Sequence, residues 1–577
     1  MKEQAVTGPG PTLSSKSQVQ VGKKKSFKDI SKFVNKAKGI FGGRFARIQH
    51  TEVPIIIIEE ASLHTSDSSN LALPTLKTPV PTPSTTKPSE DLSNVPNTMS
   101  SDHPPIPDSP DVEDLVPSRS VSEYSNSEND DEMDRRDWET IRAIPELAIR
   151  QLVFDIVNGL HKDKLDFEGC QILGHAEGSF HYAVMLWVYI DAGHQEKYVL
   201  KVPLHGTPGR WRDEDADMLH SEANLLNYIR RNTNVPVPEV IMFDNRVWNE
   251  INAPYILMKK LPGKAAHWIW FNNSYDNLEG KEYLDADYPS NETVKKREHF
   301  LRSLAQTMSE LHTLEFDKIG LPVFDYRQSE HPVEISKSWF WHSPTKKKEL
   351  TSIGPFNSTE EFFMSGLEKA WNPDKKMKHL RPYGCVIDNG VRKILEIIFN
   401  TPAFKSSKKS TDTAETFVLR HDDLDLQNIL TDDDGNVTGI IDLDGCMAVP
   451  RCVGYASIPV FLRRHWLPDF DMKRIPHLSW AQEYYSQVYA EAMKATGVED
   501  AKYTNKSPIY QLALAILYES ALPEDLVNKV LMELPTMRHI DLDDFQYRLG
   551  LGWPAAEKYL EGAITELLDP ERGAVSV

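Results

Sequence analysis

One stretch of the chain combines polar residue types at a spacing that suits phosphoryl transfer. His421, Asp423 and Asn428 form the pattern H-x-D-x-x-x-x-N after an apolar run, and Asp442 ends a second apolar run as Ile-Asp. A carboxylate at Asp423 can accept the proton of an attacking hydroxyl, while amide and carboxylate oxygens can hold magnesium on nucleotide phosphates. We therefore predict that Asp423 is the base and that Asn428 and Asp442 are the metal ligands. His421 is expected to tie the loop backbone.

The segment between these residues reads as a hairpin. Residues 429–431 and 437–441 are strand-like, and the Asp-Asp-Asp-Gly-Asn sequence at 432–436 is rich in turn formers. Such a ribbon brings Asn428 and Asp442, at its two open ends, to one place. The alternative, a turn histidine beside solvated acids, fits the offset of Asn428 and the flanking strands less well.

Three further acids surround the motif. Asp422, Asp425 and Asp444 would repel one another and the catalytic acids without a cation, which again favours a metal ion nearby. We expect Asp425 and Asp444 to support the site or contact substrate, and Asp422 to be solvated.

The elements that position these residues begin near Trp138. Strand-like runs between residues 170 and 203, and again at 254–258, precede a mostly helical remainder. This order predicts an α+β fold with a small sheet lobe over 137–262 and a larger helical lobe over 263–577, which contains the catalytic loop 421–428.

A lysine inside an apolar strand is a second candidate. Lys201 lies in Val-Leu-Lys-Val, and Glu222 lies about one turn into a helix predicted over Asp217–Arg231. Because an unpaired buried ammonium is very costly, Lys201 either points to solvent or pairs with a carboxylate. Given the downstream motif, we favour a phosphate-binding lysine held by Glu222.

A weaker signal lies just upstream. Gly174-x-x-x-Gly178-Ser179 reads as a tight turn between two strands, where backbone amides and the Ser179 hydroxyl could approach phosphates. An ordinary hairpin turn would have the same sequence, so this alternative stays open.

Length and composition set the wider frame. A chain of 577 residues is too long for one ordinary core, and a net charge of −20 argues against nucleic-acid binding over the whole surface. No secretory signal opens the chain, and no apolar run reaches the roughly 20 residues of a membrane-spanning helix. Four cysteines without metal-site spacing favour a reducing, cytoplasmic (intracellular) location, with a mitochondrial one left open.

Residues 1–136 read as a disordered tail. Ser, Thr, Pro, Asn and acids dominate its second half, which has too few apolar side chains to offset the entropy of ordering. The exception is the segment 23–45, where apolar residues recur at helical intervals with lysines opposite. This basic amphipathic segment could contact an anionic membrane surface or a protein, or have no role.

These residues resemble a known family. Phe417–Asn428 with Gly439–Asp444, Lys201, Glu222 and Tyr255–Gly263 are similar to the aminoglycoside phosphotransferases, and in particular to their fungal phosphotransferase-like branch. The resemblance covers about residues 140–565. It implies a two-lobed protein-kinase-like fold that binds ATP and Mg²⁺ between the lobes and phosphorylates a hydroxyl of a small molecule.

The resemblance also implies individual roles. The family's base falls on Asp423 and its phosphate lysine on Lys201. The segment that the adenine edge reaches through backbone groups falls on residues 256–260, so that Leu257, Met258 and Lys259 become nucleotide-binding candidates, together with Ser179. The chain lacks the G-x-G-x-x-G, D-F-G and A-P-E motifs of protein kinases. It also has Asp422 where family members more often have glycine.

Three functions remain in competition at this point. A small-molecule kinase using ATP and Mg²⁺ is the first, a catalytically weak or inactive kinase-like binding or scaffold protein is the second, and a protein kinase is the third. The sequence does not identify the acceptor, although acids such as Asp444 or Glu483 could face a cationic one. It does not define the oligomeric state either.

Overall fold

The computed structural model describes most of the chain from residue 135 onward. The described ranges are 135–162, 164–191, 193–271, 289–325, 331–341, 350–370, 382–405, 414–466, 482–518 and 521–572. All of them belong to one compact unit. The predicted tail 1–136, with its basic segment 23–45, lies outside the described residues apart from Arg135 and Arg136. These two are docked on the folded part, since Arg135 forms an ion pair with Asp215 at 2.5 Å.

The N-terminal lobe is a twisted antiparallel sheet with helices against it. Its strands follow the order β1-β2-β3-β5-β4, so that β3 lies at the centre and β4 at an edge. The elements are α1 (Trp138–Arg142), α2 (Glu146–Leu160), β1 (Cys170–Glu177), β2 (His181–Asp191), β3 (His194–Pro203), α3 (Asp213–Asn232), β4 (Val240–Asp244) and β5 (Tyr255–Lys259).

The two faces of this sheet have different neighbours because side chains alternate along each strand. Leu200 and Leu257 belong to the core that the sheet forms with α1 and α2. Val199 and Met258, which are register partners, contact a separate cluster that includes Leu219 of α3. Lys201 shares the second face, because it lies two residues after Val199.

The C-terminal lobe is larger and mainly helical. Its elements are β6 (Lys264–Ala265), α4 (His267–Trp270), α5 (Asn291–Ser309), β7 (Glu315–Phe316), β8 (Leu321–Val323), β9 (Glu334–Ser336), β10 (Ser338–Trp341), β11 (Leu350–Ile353), α6 (Thr359–Ala370), α7 (Pro382–Phe399), β12 (Phe417–Arg420), β13 (Ile429–Thr431), β14 (Val437–Ile440), β15 (Met447–Val449), α8 (Gln482–Ala495), α9 (Ser507–Leu517), α10 (Pro523–Glu533), α11 (Leu542–Gly550) and α12 (Pro554–Leu568). Within the described ranges, no helix is both long and apolar enough to cross a membrane.

Two small sheets of this lobe frame the catalytic loop. Strand β12 enters the loop and pairs with β15 and β7, whereas β13 leaves it and pairs with β14 and β6. Since β6 directly follows the N-terminal lobe in sequence, the catalytic hairpin is hydrogen-bonded to the segment that connects the lobes. Ala266 N donates to Ile429 O at 2.7 Å.

The α+β, two-lobed architecture predicted from the sequence is confirmed, and two local expectations need correction. The helix predicted over Asp217–Arg231 begins earlier, at Asp213, because Asp215 accepts a hydrogen bond from Arg212 N at 3.0 Å and caps it. The turn predicted from Gly174 onward is wrong. Strand β1 continues to Glu177 through an irregular register between Ile172 and Gly174, and the chain turns only at residues 178–180.

The connection between the lobes depends on Gly263. Its φ is +97°, and an added Cβ would lie 2.6 Å from Thr431 O and would also overlap Thr438 Oγ1. We expect Gly263→Ala to lower the free energy of unfolding by roughly 1–3 kcal/mol, because it combines backbone strain with a clash against the hairpin.

Urea denaturation of the two glycine variants checks this expectation. Gly209→Ala is the matched control, since its added Cβ meets no atom within 4 Å. It should change the free energy of unfolding by less than about 0.5 kcal/mol. Equal effects of both substitutions would contradict the role assigned to Gly263.

Candidate active site

A lysine buried between two carboxylates lies at the centre of the site. Lys201 Nζ donates to Glu222 Oε1 and to Asp442 Oδ1, each at 2.7 Å. Lys201 and Glu222 are almost fully buried, whereas the Asp442 side chain is 38 % exposed. The three residues come from β3, α3 and the loop after β14, so this contact joins the two lobes at one point.

The charges of this cluster explain its titration. Burial disfavours the charged form of all three groups. At Asp442 the attraction of the Lys201 ammonium is larger than the effect of burial, and it holds the pKa of that carboxyl well below its usual range. Burial dominates at Glu222 and raises its pKa, with Lys201 opposing. Burial also opposes protonation of Lys201, but the two carboxylates raise the pKa of its ammonium. Asp442 therefore stays ionised at physiological pH.

The predicted hairpin is present and brings Asn428 next to the Asp442 loop. Ile429 is the register partner of Ile440, and Ile441 N donates to Asn428 O at 3.0 Å. Asp442 follows directly with φ +62°. Asp and Asn are the non-glycine residues that tolerate this left-handed conformation best, which helps to explain an aspartate at the sharp turn out of the strand.

His421 ties the loop to this same strand end. Its Nε2 donates to Ile441 O at 3.0 Å, and the side chain is buried. Burial lowers the pKa of His421, so the ring is neutral and Nδ1 carries no proton. The structure thus gives His421 the backbone-tying role expected from the sequence.

Asp423 and Asn428 contact each other directly. Asn428 Nδ2 donates to Asp423 Oδ2 at 3.0 Å and to Asp423 O at 2.9 Å. The amide nitrogen is thereby engaged, which leaves the Asn428 Oδ1 oxygen for a cation. The Asp423 side chain reaches solvent, but burial of its surroundings, followed by the charges of Asp425 and Asp442, raises its pKa to about 6.

Asp425 supports the loop from within. It is buried, caps the short turn after it by accepting from Leu426 N at 2.8 Å, and forms an ion pair with Arg464. The sequence placed Asp425 in a supporting or substrate-contacting role, and these contacts are supporting ones.

The other two acids lie on different sides of the loop. Asp422 is about half exposed and lies 3.3 Å from the Arg420 guanidinium, so its charge is partly balanced. Asp444 Oδ2 lies 3.8 Å from His181 Nε2, at the end of β2. Asp444 thus faces the sheet lobe, beside the Lys201 cluster.

Ser179 occupies the turn between β1 and β2. Gly178 N donates to His181 O at 2.9 Å, and Ser179 O accepts from Arg136 at 3.3 Å. The turn adjoins His181, which in turn lies near Asp444. This arrangement places Ser179 at the rim of the Lys201 cluster, where a phosphate-contacting role stays a prediction.

The three candidates on β5 differ in position. Leu257 is fully buried with its side chain in the core next to α2, on the face away from Lys201, so the side chain is not placed for nucleotide contact. Met258 is on the Lys201 face. Lys259 N already donates to Glu239 O at 2.9 Å, which leaves its carbonyl as the backbone group for a base edge.

The donor set fits a magnesium ion that takes most of its ligands from elsewhere. Asp442 supplies a carboxylate and Asn428 an amide oxygen, and Mg²⁺ is commonly held by one or two carboxylates with phosphate oxygens and water. In the part of the chain that the structure describes, no group of three or more His, Cys, Asp or Glu side chains could hold a metal. A nucleotide-borne ion is therefore a better fit than a metal caged by protein.

Sequence reasoning missed two residues of the site. His181 is mostly buried beside Asp444, and burial followed by the Lys201 charge lowers its pKa to about 4. Arg464 pairs with Asp425 from a segment about 40 residues downstream. His181 follows the Gly178-Ser179 signal directly and could have been noticed, whereas Arg464 has no local signal.

A comparison with protein families now complements this geometry. The model described as "Phosphotransferase enzyme family" matches residues 187–474, about half of the chain. The matched range contains Lys201, Glu222, Asp423, Asn428 and Asp442. The chain belongs to this phosphotransferase family. Ser179 lies just outside the matched range.

Individual proteins that resemble this chain share low sequence identity with it. A curated relative, the subtelomeric hrmA-associated cluster protein of Aspergillus fumigatus, is 25% identical over 363 residues, covering 53% of this chain and 68% of the relative. Among solved structures, a thermostable mutant of aminoglycoside phosphotransferase APH(4)-Ia shares 16% identity over 69% of this chain and 100% of that chain, with a TM-score of 0.29. Macrolide 2'-phosphotransferase MphH from Brachybacterium faecium shares 13% over 72% and 97%, with a TM-score of 0.31. The family assignment rests on the sequence match.

The charge of Asp422 should affect the pKa of Asp423. Asp422 is one of the carboxylates that raise the pKa of Asp423. We expect Asp422→Asn to lower the pKa of Asp423 from about 6 toward its ordinary range, because removing a negative neighbour favours the ionised form.

Carbon-13 NMR titration of the aspartate carboxyls measures this shift. Asp433→Asn, at an exposed position in the turn of the hairpin, is the control and should leave the Asp423 titration unchanged. A pKa of Asp423 that stays constant or rises in Asp422→Asn would argue against the proposed charge coupling.

Proposed function

We propose that this protein transfers the γ-phosphoryl group of ATP to a hydroxyl of a small molecule, with Mg²⁺ as cofactor. The observation that carries the proposal is the contact of Lys201 with both Glu222 and Asp442 at 2.7 Å. The contact supports the proposal because Lys201 could bind phosphate, Glu222 could orient it, and Asp442 could bind the metal beside the H-x-D-x-x-x-x-N loop.

Asp423 is the proposed base. Its carboxylate takes the proton of the acceptor hydroxyl as the acceptor oxygen forms a bond to the γ-phosphorus. The bond from that phosphorus to the bridging oxygen breaks, and ADP leaves with the electron pair. A pKa of about 6 keeps Asp423 mostly ionised at neutral pH and a better proton acceptor than an ordinary aspartate.

The other residues of the site would hold the nucleotide phosphates and the metal ion. Lys201 would hold nucleotide phosphates, with Glu222 fixing the direction of its side chain. Asn428 and Asp442 would hold Mg²⁺. When bound, this ion would neutralise the negative charge that develops on the phosphate during transfer. The Asn428–Asp423 hydrogen bond couples the orientation of the base to the metal-binding amide.

A catalytically weak or inactive binding protein is the competing function, which Asp422 and the long tail mildly favour. The pairing of Asp422 with Arg420 at 3.3 Å reduces that support, because a balanced charge repels nucleotide phosphates less than a free one. Together with the retained catalytic residues, this favours an active enzyme.

The role of Asp423 predicts a specific loss. Asp423→Asn should reduce phosphoryl transfer by about 10²–10⁴-fold, because the amide cannot accept the hydroxyl proton. Nucleotide binding should persist, since the asparagine oxygen can still accept the hydrogen bond from Asn428.

Transfer can be followed by mass spectrometry of a cell extract incubated with labelled ATP and either protein. Asp433→Asn, at an exposed position of the hairpin turn, serves as the control with unchanged transfer. Full transfer by Asp423→Asn would refute the base assignment, and label found on proteins alone would indicate a protein kinase.

If Asp442 binds the metal ion, its substitution should change the Mg²⁺-dependent binding of ATP. Because asparagine also tolerates a positive φ, Asp442→Asn should keep the fold while removing the charge that attracts the cation. The stabilisation by ATP that requires Mg²⁺ should be largely lost.

A thermal-shift titration with ATP in the presence of Mg²⁺ or EDTA measures this difference. The wild-type shift should collapse in EDTA, whereas Asp442→Asn should show a small shift in both conditions. An undiminished Mg²⁺-dependent shift in the variant would rule Asp442 out as a ligand.

A further inference from the structure

A short segment after β15 runs alongside the catalytic loop and is fixed to it at two points. Val460 N donates to Leu424 O, next to Asp423, at 3.1 Å. Four residues later, Arg464 forms an ion pair with Asp425. Arg463 lies between these two anchors, so its backbone is held along the catalytic loop.

Arg463 is unusual in its surroundings. Its side chain is 7 % exposed, and its Nε is buried without a hydrogen-bond partner. No carboxylate of the described residues forms an ion pair with its guanidinium, although Asp422 and Asp425 are close enough to influence it. Burial followed by the charge of Arg420 lowers the pKa of Arg463 to about 9, so it remains a cation at neutral pH.

An arginine in this state carries a large desolvation cost, which the charges of Asp422 and Asp425 offset only in part. Such a cost is expected where a charged ligand completes the pairing, because strain and unmet polar groups concentrate at functional sites. The planar guanidinium suits carboxylate and phosphate groups, which it can bind with two hydrogen bonds.

We infer that Arg463 is an anion-binding residue of the acceptor site, and that the acceptor carries a carboxylate or phosphate group besides the hydroxyl that is phosphorylated. This inference rests on the proposed function, since it uses Asp423 to locate the acceptor. It replaces the expectation of a cationic acceptor. Asp444 faces the sheet lobe beside His181, and Glu483 is an exposed residue in the first turn of α8.

Four small probes test the charge preference with little dependence on pocket shape. D-Glycerate carries a carboxylate and glycerol 3-phosphate carries a phosphate. Glycerol is neutral, and 2-amino-1,3-propanediol is cationic. Isothermal titration of protein saturated with Mg²⁺ and AMP-PNP should show that the anionic probes bind at least about tenfold tighter than glycerol, as expected for charge-assisted hydrogen bonds. The better of the two anions identifies the group. Tighter binding of the cationic probe, or equal binding of all four, would overturn the inference.

Arg463→Met tests the residue itself. It should weaken binding of the preferred anion at least about tenfold and leave glycerol binding unchanged. Arg463→Lys should retain part of the affinity, because it keeps the charge and loses the planar fork. Arg231→Met, which removes an exposed positive charge on α3, should have no effect.

Melting temperature separates ligand binding from a structural role. Replacing a buried, unpaired cation by an apolar side chain of similar size is often neutral or stabilising. The melting temperature of Arg463→Met should therefore stay equal or rise. Loss of folding, or a lower melting temperature with anion binding retained, would show that Arg463 is structural.

Nucleotide binding tests the proposed function separately from the acceptor class. If Mg²⁺ and AMP-PNP do not bind the wild-type protein, the kinase assignment fails, and the probes are then titrated into the nucleotide-free protein. Loss of anion binding in Arg463→Met would still establish the anion site. Conversely, normal nucleotide binding with no preference for anions would reject only the acceptor class.

Discussion

A buried ammonium group held between two carboxylates connects the two lobes of this molecule at one point. Lys201 lies inside the central strand of the sheet lobe, where an uncompensated charge would cost far more than the fold could offset. Glu222 provides one partner from the neighbouring helix, and Asp442 provides the other from the opposite lobe. Stability of the sheet lobe and assembly of the active site are therefore two consequences of the same electrostatic requirement.

In the catalytic loop, too, single residues make more than one supporting contact. His421 and the Asn428 backbone both bond to Ile441, the residue before Asp442, so the proposed base and the proposed metal ligand share one support. Asp425 performs two tasks, as cap of the following turn and as partner of Arg464. These contacts give the loop a defined geometry although it is short.

The sequence predicted those parts of the site that depend on local pattern. The offset of Asn428 from Asp423 and the turn chemistry at 432–436 are read within one hairpin, and the structure has that hairpin. The Lys201–Glu222 pair was also accessible, since a charged residue in an apolar strand calls for a partner nearby.

What could not be predicted depends on long-range packing. The contact between Lys201 and Asp442 spans 241 positions, and the side of the sheet that Leu257 faces is decided by helices on both faces. The bulge near Gly174 moved a turn that glycine spacing had placed too early. The burial of Arg463 is the clearest case. Two adjacent arginines followed by His and Trp resemble a solvated surface, and nothing local reveals that one of them is enclosed.

The linker between the lobes has a consequence for the timing of turnover. Lys259 ends the large sheet and Lys264 begins the strand paired with the catalytic hairpin, so only Lys260–Gly263 separate two hydrogen-bonded frameworks. Any opening between the lobes would have to bend these four residues and lengthen the contact between Lys201 and Asp442. Under the proposed function, a bound nucleotide would take over both side chains, so binding would exchange this direct bridge between the lobes for one made through the ligand.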